Sequence, residues 1–324
     1  MRAPDPGLCA MLALCSLAAL GAARRTSAAE PPRFTVASQG EAPLVLVVYG
    51  DTRFTQRPDV VNAAARRALV ERIATEKPAA ILIGGDLVFE GRDPGDYQTF
   101  RTETRAWSEA HIPVYPALGN HEFRGCAADK QPCLENWWSA FDDLPLRPHR
   151  WYSVAIGSNL LALVLDSGAA LKPGSEQRSW FEAQMAGADA GVKFILIVLH
   201  YPPVSDPFFP RERDEKEIAR YLAHHAGSLL AKVLVVGSHV HNYERYFRDE
   251  VMYVVSGGGG AKPVPAPRMF GEQSHLRTGV NFHYLRLTLG KDSLAVSMVR
   301  YDATKVEGPQ AWSEPDRFEI RARN

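Results

Sequence analysis

Residues 233–245 read VLVVGSHVHNYER, and this stretch decides how the rest of the chain is interpreted. Four apolar residues, mostly β-branched, run into a glycine, which predicts a short buried strand rather than a helix. His239 and His241 follow at once, at the end of the strand where open α/β sheets place their ligands. Histidine is the commonest protein ligand of metals near neutral pH, so the pair is a candidate metal site. A single His-x-His pair is a weak signal by itself.

Four other predicted strands end in residues of the same kind. The apolar runs 44–48, 79–83 and 113–118 lead into Asp51, Asp86 and Asn120-His121, and the run 193–199 leads into His200. Each of these alone has an ordinary explanation as a turn residue, a helix cap or a buried histidine. Five such endings in one chain favour a shared site, because ligands of open α/β sheets gather at the carboxyl ends of the strands.

The predicted elements alternate between strand and helix. Helices are predicted over residues 59–75, 99–110 and 212–225, and from Ser175 as the N-cap of a fourth. Residues 152–156 and 160–165 form a predicted hairpin, and 283–289 with 294–301 form a final one after a strand at 251–255. The strand–helix units predict an α/β fold with a mainly parallel central sheet, and the hairpins add antiparallel strands and leave room for a second sheet.

A glycine-rich pentad, residues 256–260, follows the strand at 251–255. Such turns can hold phosphate through backbone N–H groups when a helix follows. Here Pro263, Pro265 and Pro267 come next. We therefore interpret the pentad as a tight strand-to-loop turn near the site, with a phosphate cradle as the alternative.

The N-terminal residues have the pattern of an export signal. Residues 8–23 are rich in Leu and Ala, too few to span a bilayer, and small residues suited to cleavage follow. We predict a signal peptide over 1–29, a single catalytic domain over 30–324, and a periplasmic or secreted location; an uncleaved membrane anchor is the alternative. Lys plus Arg and Asp plus Glu both number 37, so no nucleic-acid partner is expected, nor a membrane partner after signal cleavage.

Two cysteines lie beyond the predicted signal peptide, Cys126 and Cys133, in a polar segment. Their spacing does not suit a zinc or C-x-x-C redox site. In an oxidising compartment a local disulfide is the expected state, and two unpaired thiols are the alternative.

Carboxylates, an amide oxygen and imidazoles together form a ligand set for borderline metals such as Fe, Zn or Mn. The number of candidate ligands exceeds what one catalytic zinc needs. The sequence therefore predicts two metal ions that share a carboxylate.

The motif order makes a family resemblance specific. Between residues 50 and 241 the chain carries Gly-Asp, Gly-Gly-Asp, Gly-Asn-His-Glu, a strand-end His and Gly-Ser-His-Val-His, in that order. This order resembles that of the calcineurin-like metallophosphoesterases. The Asn-Tyr-Glu-Arg of residues 242–245 and the Leu-Asp-Ser of 165–167, followed by Gln177 and Trp180, resemble the purple acid phosphatase branch. The resemblance implies a four-layer α/β/β/α sandwich, here with a C-terminal β-hairpin.

The resemblance also implies roles for the strand-end residues. Asp51 and His241 would bind the first metal, and Asp86 would bridge both ions. The second metal would be completed by Asn120, His200 and His239. His121 would be catalytic without binding metal.

Two positions depart from the family pattern. Many members carry a His two residues after the first Asp, where this chain has Arg53. The purple branch carries a Tyr three residues after the bridging Asp, where this chain has Phe89. A guanidinium has no lone pair and a phenyl ring has no oxygen, so neither residue can ligate. We predict that Arg53 binds the substrate phosphate, with an ion pair to a nearby carboxylate as the alternative.

These observations predict an exported, metal-dependent phosphoester hydrolase of a small phosphorylated substrate. Two metal ions would activate water for in-line attack on phosphorus. The alternatives are a phosphodiesterase or nucleotide pyrophosphatase, and a metal- or phosphate-binding protein without turnover. The sequence leaves the oligomeric state open.

Overall fold

The structure is a computed structural model that describes residues 30–38, 43–126, 128–205, 214–264, 282–306 and 308–323. The predicted signal peptide, residues 1–29, lies outside the described residues. The described residues from Pro31 onward fold as one unit. No helix among the described residues is both long enough and apolar enough to cross a membrane.

The strands of the described residues are, in chain order, β1 Arg33–Val36, β2 Leu44–Tyr49, β3 Ala80–Ile83, β4 Val114–Pro116, β5 Tyr152–Ile156, β6 Leu160–Val164, β7 Phe194–Val198, β8 Lys232–Gly237, β9 Tyr243–Arg248, β10 Val251–Ser256, β11 Phe282–Leu289, β12 Ser293–Tyr301 and β13 Trp312–Arg321. The helices are α1 Ala63–Glu76, α2 Pro94–Glu103, α3 Arg105–Glu109, α4 Gln131–Ala140, α5 Glu176–Ala186 and α6 Lys216–His225. Short 3-10 turns cover His121–Phe123, Ala226–Ser228 and Pro309–Ala311.

The strands form two mixed sheets. Sheet A has the order β1-β5-β6-β7-β8-β10-β9, and sheet B has the order β13-β12-β11-β2-β3-β4. Strands β6, β7, β8 and β10 are parallel in sheet A, and β2, β3 and β4 are parallel in sheet B. The predicted C-terminal hairpin is β11–β12, and it joins β2 and β13 in antiparallel pairs. Half of sheet B is therefore antiparallel, and the predicted hairpin at residues 283–301 supplies two of its antiparallel strands, in a second sheet that the sequence had left room for.

Side chains on β7 show how the layers pack. Ile195 and Ile197 lie in a cluster with Phe181 of α5 and Leu222 of α6, on the outer face of sheet A. The alternate residues Phe194, Leu196 and Val198 belong to the core shared by the two sheets. Successive strand residues point to opposite faces, so a strand buried on both sides is apolar throughout. With α1 packed on β11 and β12 of sheet B, the layers are α/β/β/α. The predicted four-layer sandwich is confirmed.

Several local features differ from the sequence prediction. The helix expected over 99–110 begins at Pro94, capped by Asp93, and breaks at Thr104 into α2 and α3. The Oγ1 of Thr104 donates to Phe100 O at 2.7 Å, a side-chain bond that competes with the helical pattern. Ser175 is the N-cap of α5, as predicted, but its side chain makes no capping hydrogen bond, and its single hydroxyl proton points between Ala170 O and Lys172 O.

The elements β1, β9, β13 and α4 were not predicted. The β9 sequence YERYFR lacks the apolar run of a buried strand. Its polar side chains are buried because they find partners on β13: Tyr243 Oη donates to Asp316 Oδ2 at 2.5 Å, and Arg245 Nε reaches the same oxygen at 2.8 Å. Cys133 lies in α4 and forms a disulfide with Cys126, so the predicted pairing is confirmed.

Arg66 and Arg67 on α1 offer a matched test of a buried ion pair. Both approach Glu103, but the Arg66 side chain is 1% exposed and the Arg67 side chain is 55% exposed. We expect Arg66→Met to lower the free energy of unfolding in urea by about 3 kcal/mol or more, because Glu103 loses its buried partner. Arg67→Met should cost at most about 1 kcal/mol. Equal losses in the two variants would contradict this ranking.

Candidate metal centre

The candidate site lies where strand ends from both sheets meet. Asp51 follows β2, Asp86 follows β3, and Asn120 with His121 follows β4, all in sheet B. His200 follows β7, and His239 with His241 follows β8, in sheet A. The residues predicted from the sequence therefore come together at one edge, three strand ends from one sheet and two from the other.

Glycines allow these strand ends to approach. A Cβ on Gly50 would lie 2.2 Å from the Ser238 Oγ, and a Cβ on Gly84 would lie 2.3 Å from the same atom. The Ser238 hydroxyl fills the space between the ends and donates to Ser256 O at 3.1 Å. The glycine in the Gly-Asp and Gly-Gly-Asp motifs thus makes room for a side chain from the other sheet.

The pentad 256–260 packs against the same strand ends. Gly257 N donates to Asn242 O at 3.2 Å, and Gly259 N donates to Gly50 O at 3.0 Å. A Cβ on Gly257 would lie 2.7 Å from Asp51 Oδ2. These two amides serve the protein itself, as expected for a tight turn rather than a phosphate cradle.

One donor group contains Asp86, His200 and His239, whose ligand atoms lie within 4.8 Å of one another. His200 Nδ1 lies 3.0 Å from the carbonyl of Gly84, which can only accept, so Nδ1 carries the proton. The unprotonated His200 Nε2 then faces the site, 3.0 Å from His239 Nδ1 and 3.1 Å from Asn120 Oδ1. A histidine held in this way is typical of metal ligands.

The other donor group contains Asp51, Asp86 and His241 within the same limit of 4.8 Å. His241 Nδ1 lies 2.8 Å from Lys262 O, which directs Nε2 to a point 3.3 Å from Asp51 Oδ1. Asp51 Oδ1 is buried and accepts no hydrogen bond. A buried carboxylate oxygen without a partner is costly unless a cation meets it. The residues therefore fit two metal ions that share Asp86.

Asp86 belongs to both groups and is fully buried. His121 N donates to its Oδ1 at 2.9 Å, His200 Nε2 lies 3.3 Å from Oδ1, and Arg53 Nη2 lies 3.2 Å from Oδ2. Burial alone would raise the pKa of this carboxyl. Interactions with His200, His121 and Arg53, together with the hydrogen bond from the His121 amide, outweigh burial and hold the pKa below its usual range. Asp86 is therefore an anion at neutral pH.

His121 sits beside this pair of groups without joining either. Its Nδ1 lies 2.6 Å from Phe89 O and therefore carries a proton, and its Nε2 lies 3.8 Å from Asp86 Oδ2. Burial lowers the pKa of His121, and the positive charges of Arg53 and Arg124 lower it further. The negative charge of Asp86 raises the pKa but does not outweigh these effects. The neutral ring thus turns one free nitrogen toward the site. The predicted catalytic role of His121 stays a prediction.

Glu122 lies at the site, and no role was predicted for it from the sequence. Its carboxylate is fully buried and accepts from Gly119 N at 2.6 Å, Leu87 N at 2.7 Å and Asp86 N at 2.9 Å. It therefore ties the loop after β3 to the loop after β4. Burial and the Asp86 charge raise the pKa of Glu122 to about 8. The one sequence feature that could have identified Glu122 as a site residue is its position directly after Asn120 and His121.

A family model described as calcineurin-like phosphoesterase matches residues 44–243, more than half of the chain and all of both donor groups. The chain belongs to the calcineurin-like phosphoesterase family. Phosphoric ester hydrolysis is the reaction class that this family name denotes. No curated protein sequence matches the chain at a significant level.

Solved structures share the fold. The purple acid phosphatase PPD1 from yellow lupin (Lupinus luteus) seeds matches with a TM-score of 0.68 at 18% identity, over 87% of this chain and 54% of that one. This chain therefore spans about half of that protein. A dimetal phosphatase from Danio rerio matches with a TM-score of 0.62 at 13% identity, over 87% and 100% of the two chains. GAP50, the anchor in the inner membrane complex of Plasmodium, matches with a TM-score of 0.58 at 14% identity, over 87% and 90%.

Arg53 occupies the position where many calcineurin-like phosphoesterases have a ligating His. The structure pairs its guanidinium with Asp86 at 3.2 Å, the alternative that the sequence had left open. Arg66 supports the same loop, because its Nη1 donates to Arg53 O at 2.9 Å. The side chain of Arg53 remains 15% exposed toward the site. Its contact with substrate stays a prediction.

The backbone at this phosphoesterase site adopts a conformation that most residues avoid. Asp51, Arg53, Asp86 and His239 have φ values of 57°, 46°, 51° and 67°. A positive φ is unfavourable for residues other than glycine and persists where the surroundings enforce it. Here hydrogen bonds between the loops hold it: Arg53 N donates to Asp86 O at 2.9 Å, and Asp51 N donates to Gly85 O at 3.1 Å.

The sharing of Asp86 predicts unequal effects of two carboxylate substitutions. Asp86→Ala should remove metal from both donor groups, whereas Asp51→Ala should spare the group built on His200 and His239. The measurement is metal per chain by mass spectrometry after dialysis, with circular dichroism to verify folding. An Asp86→Ala protein that retains as much metal as Asp51→Ala would show that Asp86 does not bridge.

Proposed function

We propose that this protein is an exported metal-dependent phosphoester hydrolase with a dinuclear metal centre. The observation that carries the proposal is the pair of donor groups that share Asp86, with the free nitrogen of His121 beside them. Carboxylate, amide and imidazole donors suit Fe, Zn or Mn. Two such ions, when bound, acidify a water molecule and neutralise charge on the phosphoryl oxygens.

The side chains of the chain itself have separate tasks in this proposal. Asp51, Asp86 and the histidines hold the donor geometry. His121 would take up a proton at Nε2 from solvent and pass it to the leaving oxygen as the ester bond breaks, because its ring lies beside the site and, among the described residues, belongs to neither donor group. Arg53 would place a guanidinium against a phosphoryl oxygen while it still contacts Asp86.

Export is supported by the Cys126–Cys133 disulfide, because disulfides persist mainly in oxidising compartments. A periplasmic or secreted location is therefore part of the proposal. It depends also on residues 1–29 acting as a signal peptide, and these lie outside the described residues.

A second candidate function is metal or phosphate binding without turnover. The observation that favours it is the Arg53–Asp86 ion pair, which puts a guanidinium where the family often has a metal ligand. GAP50, which shares the fold, is described as an anchor.

The test is hydrolysis by the purified full chain after loading with Fe, Zn or Mn separately. The substrates are p-nitrophenyl phosphate and bis(p-nitrophenyl) phosphate, which distinguish a monoesterase from a phosphodiesterase. We expect turnover that chelation abolishes and that Asp86→Ala lacks. A protein that binds two metal ions yet hydrolyses neither ester would establish the binding function instead.

His121→Ala should separate chemistry from metal binding. Because His121 supplies a proton and no metal ligand, kcat should fall by about 10²–10⁴ while the metal content stays at the wild-type value. His224→Ala, on the exposed surface of α6, is the control and should change neither quantity. Loss of metal together with activity in His121→Ala would assign His121 to the metal centre.

Arg53→Ala should mainly raise KM. A lost charge-assisted hydrogen bond to phosphate costs about 1.5–3 kcal/mol, or roughly ten- to a hundredfold in affinity. Metal content should remain the same, because a guanidinium offers no lone pair. Unchanged kinetics in this variant would make the ion pair with Asp86 the whole role of Arg53.

A further inference from the structure

Phe89 lies directly beside the catalytic candidate His121. The two rings have centroids 5.3 Å apart, and Phe89 is 3% exposed. Its backbone carbonyl oxygen also accepts a hydrogen bond from His121 Nδ1. Phe89 therefore forms the wall next to the nitrogen that faces the site.

Two guanidinium groups stack on this one ring. The Arg124 guanidinium carbon lies 4.1 Å from the Phe89 centroid, and the Arg57 guanidinium carbon lies 4.9 Å from it. Contact with an aromatic ring holds a guanidinium in a fixed plane but leaves its N–H groups free to bind an anion. Two guanidinium groups that contact the same ring repel each other. A bound anion close to both would offset this repulsion.

Neighbouring carboxylates neutralise this pair of arginines only weakly. Within the ranges that the structure describes, no carboxylate lies within ion-pair distance of the Arg124 guanidinium. Arg57 approaches Asp59 only at 3.9 Å, and both side chains are more than half exposed. By contrast, Arg150, which stacks on the adjacent Phe123, forms an ion pair with the buried Asp166. Arg57 and Arg124 thus differ from Arg150, because neither forms an ion pair with a buried carboxylate.

We propose that Arg57 and Arg124 form an anion subsite for a second phosphate or carboxylate on the leaving group. The proposal rests on the proposed function, in which His121 protonates the leaving oxygen. The Phe89 ring contacts His121 and both guanidinium groups, so a leaving oxygen that takes its proton from His121 lies near these two cations. The substrate class is a phosphomonoester whose leaving group is itself an anion.

The alternative is that the two arginines only cover Phe89. A cation–π contact at an exposed position contributes about 0.5–1 kcal/mol to stability. That role predicts a small change in unfolding and no change in substrate preference. The two explanations therefore differ in what a selectivity measurement shows.

The experiment compares kcat/KM for two matched series in the metal-loaded full chain. One series is alkanediol bisphosphates from ethanediol to hexanediol, and the other is alkyl monophosphates of the same lengths. We expect at least one bisphosphate to be preferred by about tenfold, the worth of a charge-assisted contact. The preference should shrink as salt is added, because exposed charges are screened over about 8 Å at physiological ionic strength.

Variants locate the preference. Arg57→Gln and Arg124→Gln should each lower the ratio of bisphosphate to monophosphate kcat/KM severalfold, and the double variant should bring it near one. Arg105→Gln is the matched control, since Arg105 is exposed on α3 and paired with Glu109. It should leave the ratio and the rates unchanged. Urea unfolding verifies that each variant is folded.

The outcomes are distinguishable. Equal kcat/KM for the two series in the wild type, or a preference that survives in the double variant, would overturn the anion subsite and leave the proposed hydrolase intact. Absence of hydrolysis in both series by metal-loaded protein would overturn the proposed function and this subsite with it. The wild-type ratio alone can overturn the subsite, and if the double variant fails to fold, the two single variants locate the preference.

Discussion

The buried carboxylate of Asp86 is the constraint on which the rest of the site depends. A carboxylate removed from water is strongly unfavourable unless cations and hydrogen bonds replace its hydration. Here Arg53, His200 and the His121 amide surround it, and both donor groups include it. The same negative charge is what would bind metal ions in the two donor groups. The compensation of Asp86 in the fold and the proposed metal binding therefore involve one carboxylate.

The surroundings of the Asp86 carboxylate are built by both sheets and include residues with an unfavourable positive φ. Asp51 and Asp86 come from sheet B, while His200, His239 and His241 come from sheet A, so the site exists only when the two sheets pack. Ser238 fills the gap that glycines leave between the strand ends. Glu122 anchors the Asp86 loop through three short amide contacts. These contacts enforce the positive φ values of the ligand-bearing residues.

Phe89 connects His121 to two exposed arginines. Its ring centroid lies 5.3 Å from that of His121, and the guanidinium groups of Arg57 and Arg124 contact the same ring. The phenyl group cannot ligate metal as the tyrosine of the purple branch would. The Phe89 ring contacts the Arg124 guanidinium, while the backbone carbonyl of the same residue accepts a hydrogen bond from His121 Nδ1.

The sequence by itself determined the fold class and the strand-end residues, because apolar runs ending in Gly-Asp, Asn-His or His are local patterns. It missed β9 and β13, which are joined by the Tyr243–Asp316 hydrogen bond across 73 positions. It also left open the partner of Arg53, which is Asp86, 33 positions away, and gave Glu122 no role. These contacts depend on which loops come together when the two sheets pack. The local pattern of apolar and polar residues does not contain that information. Only the tertiary structure decided them.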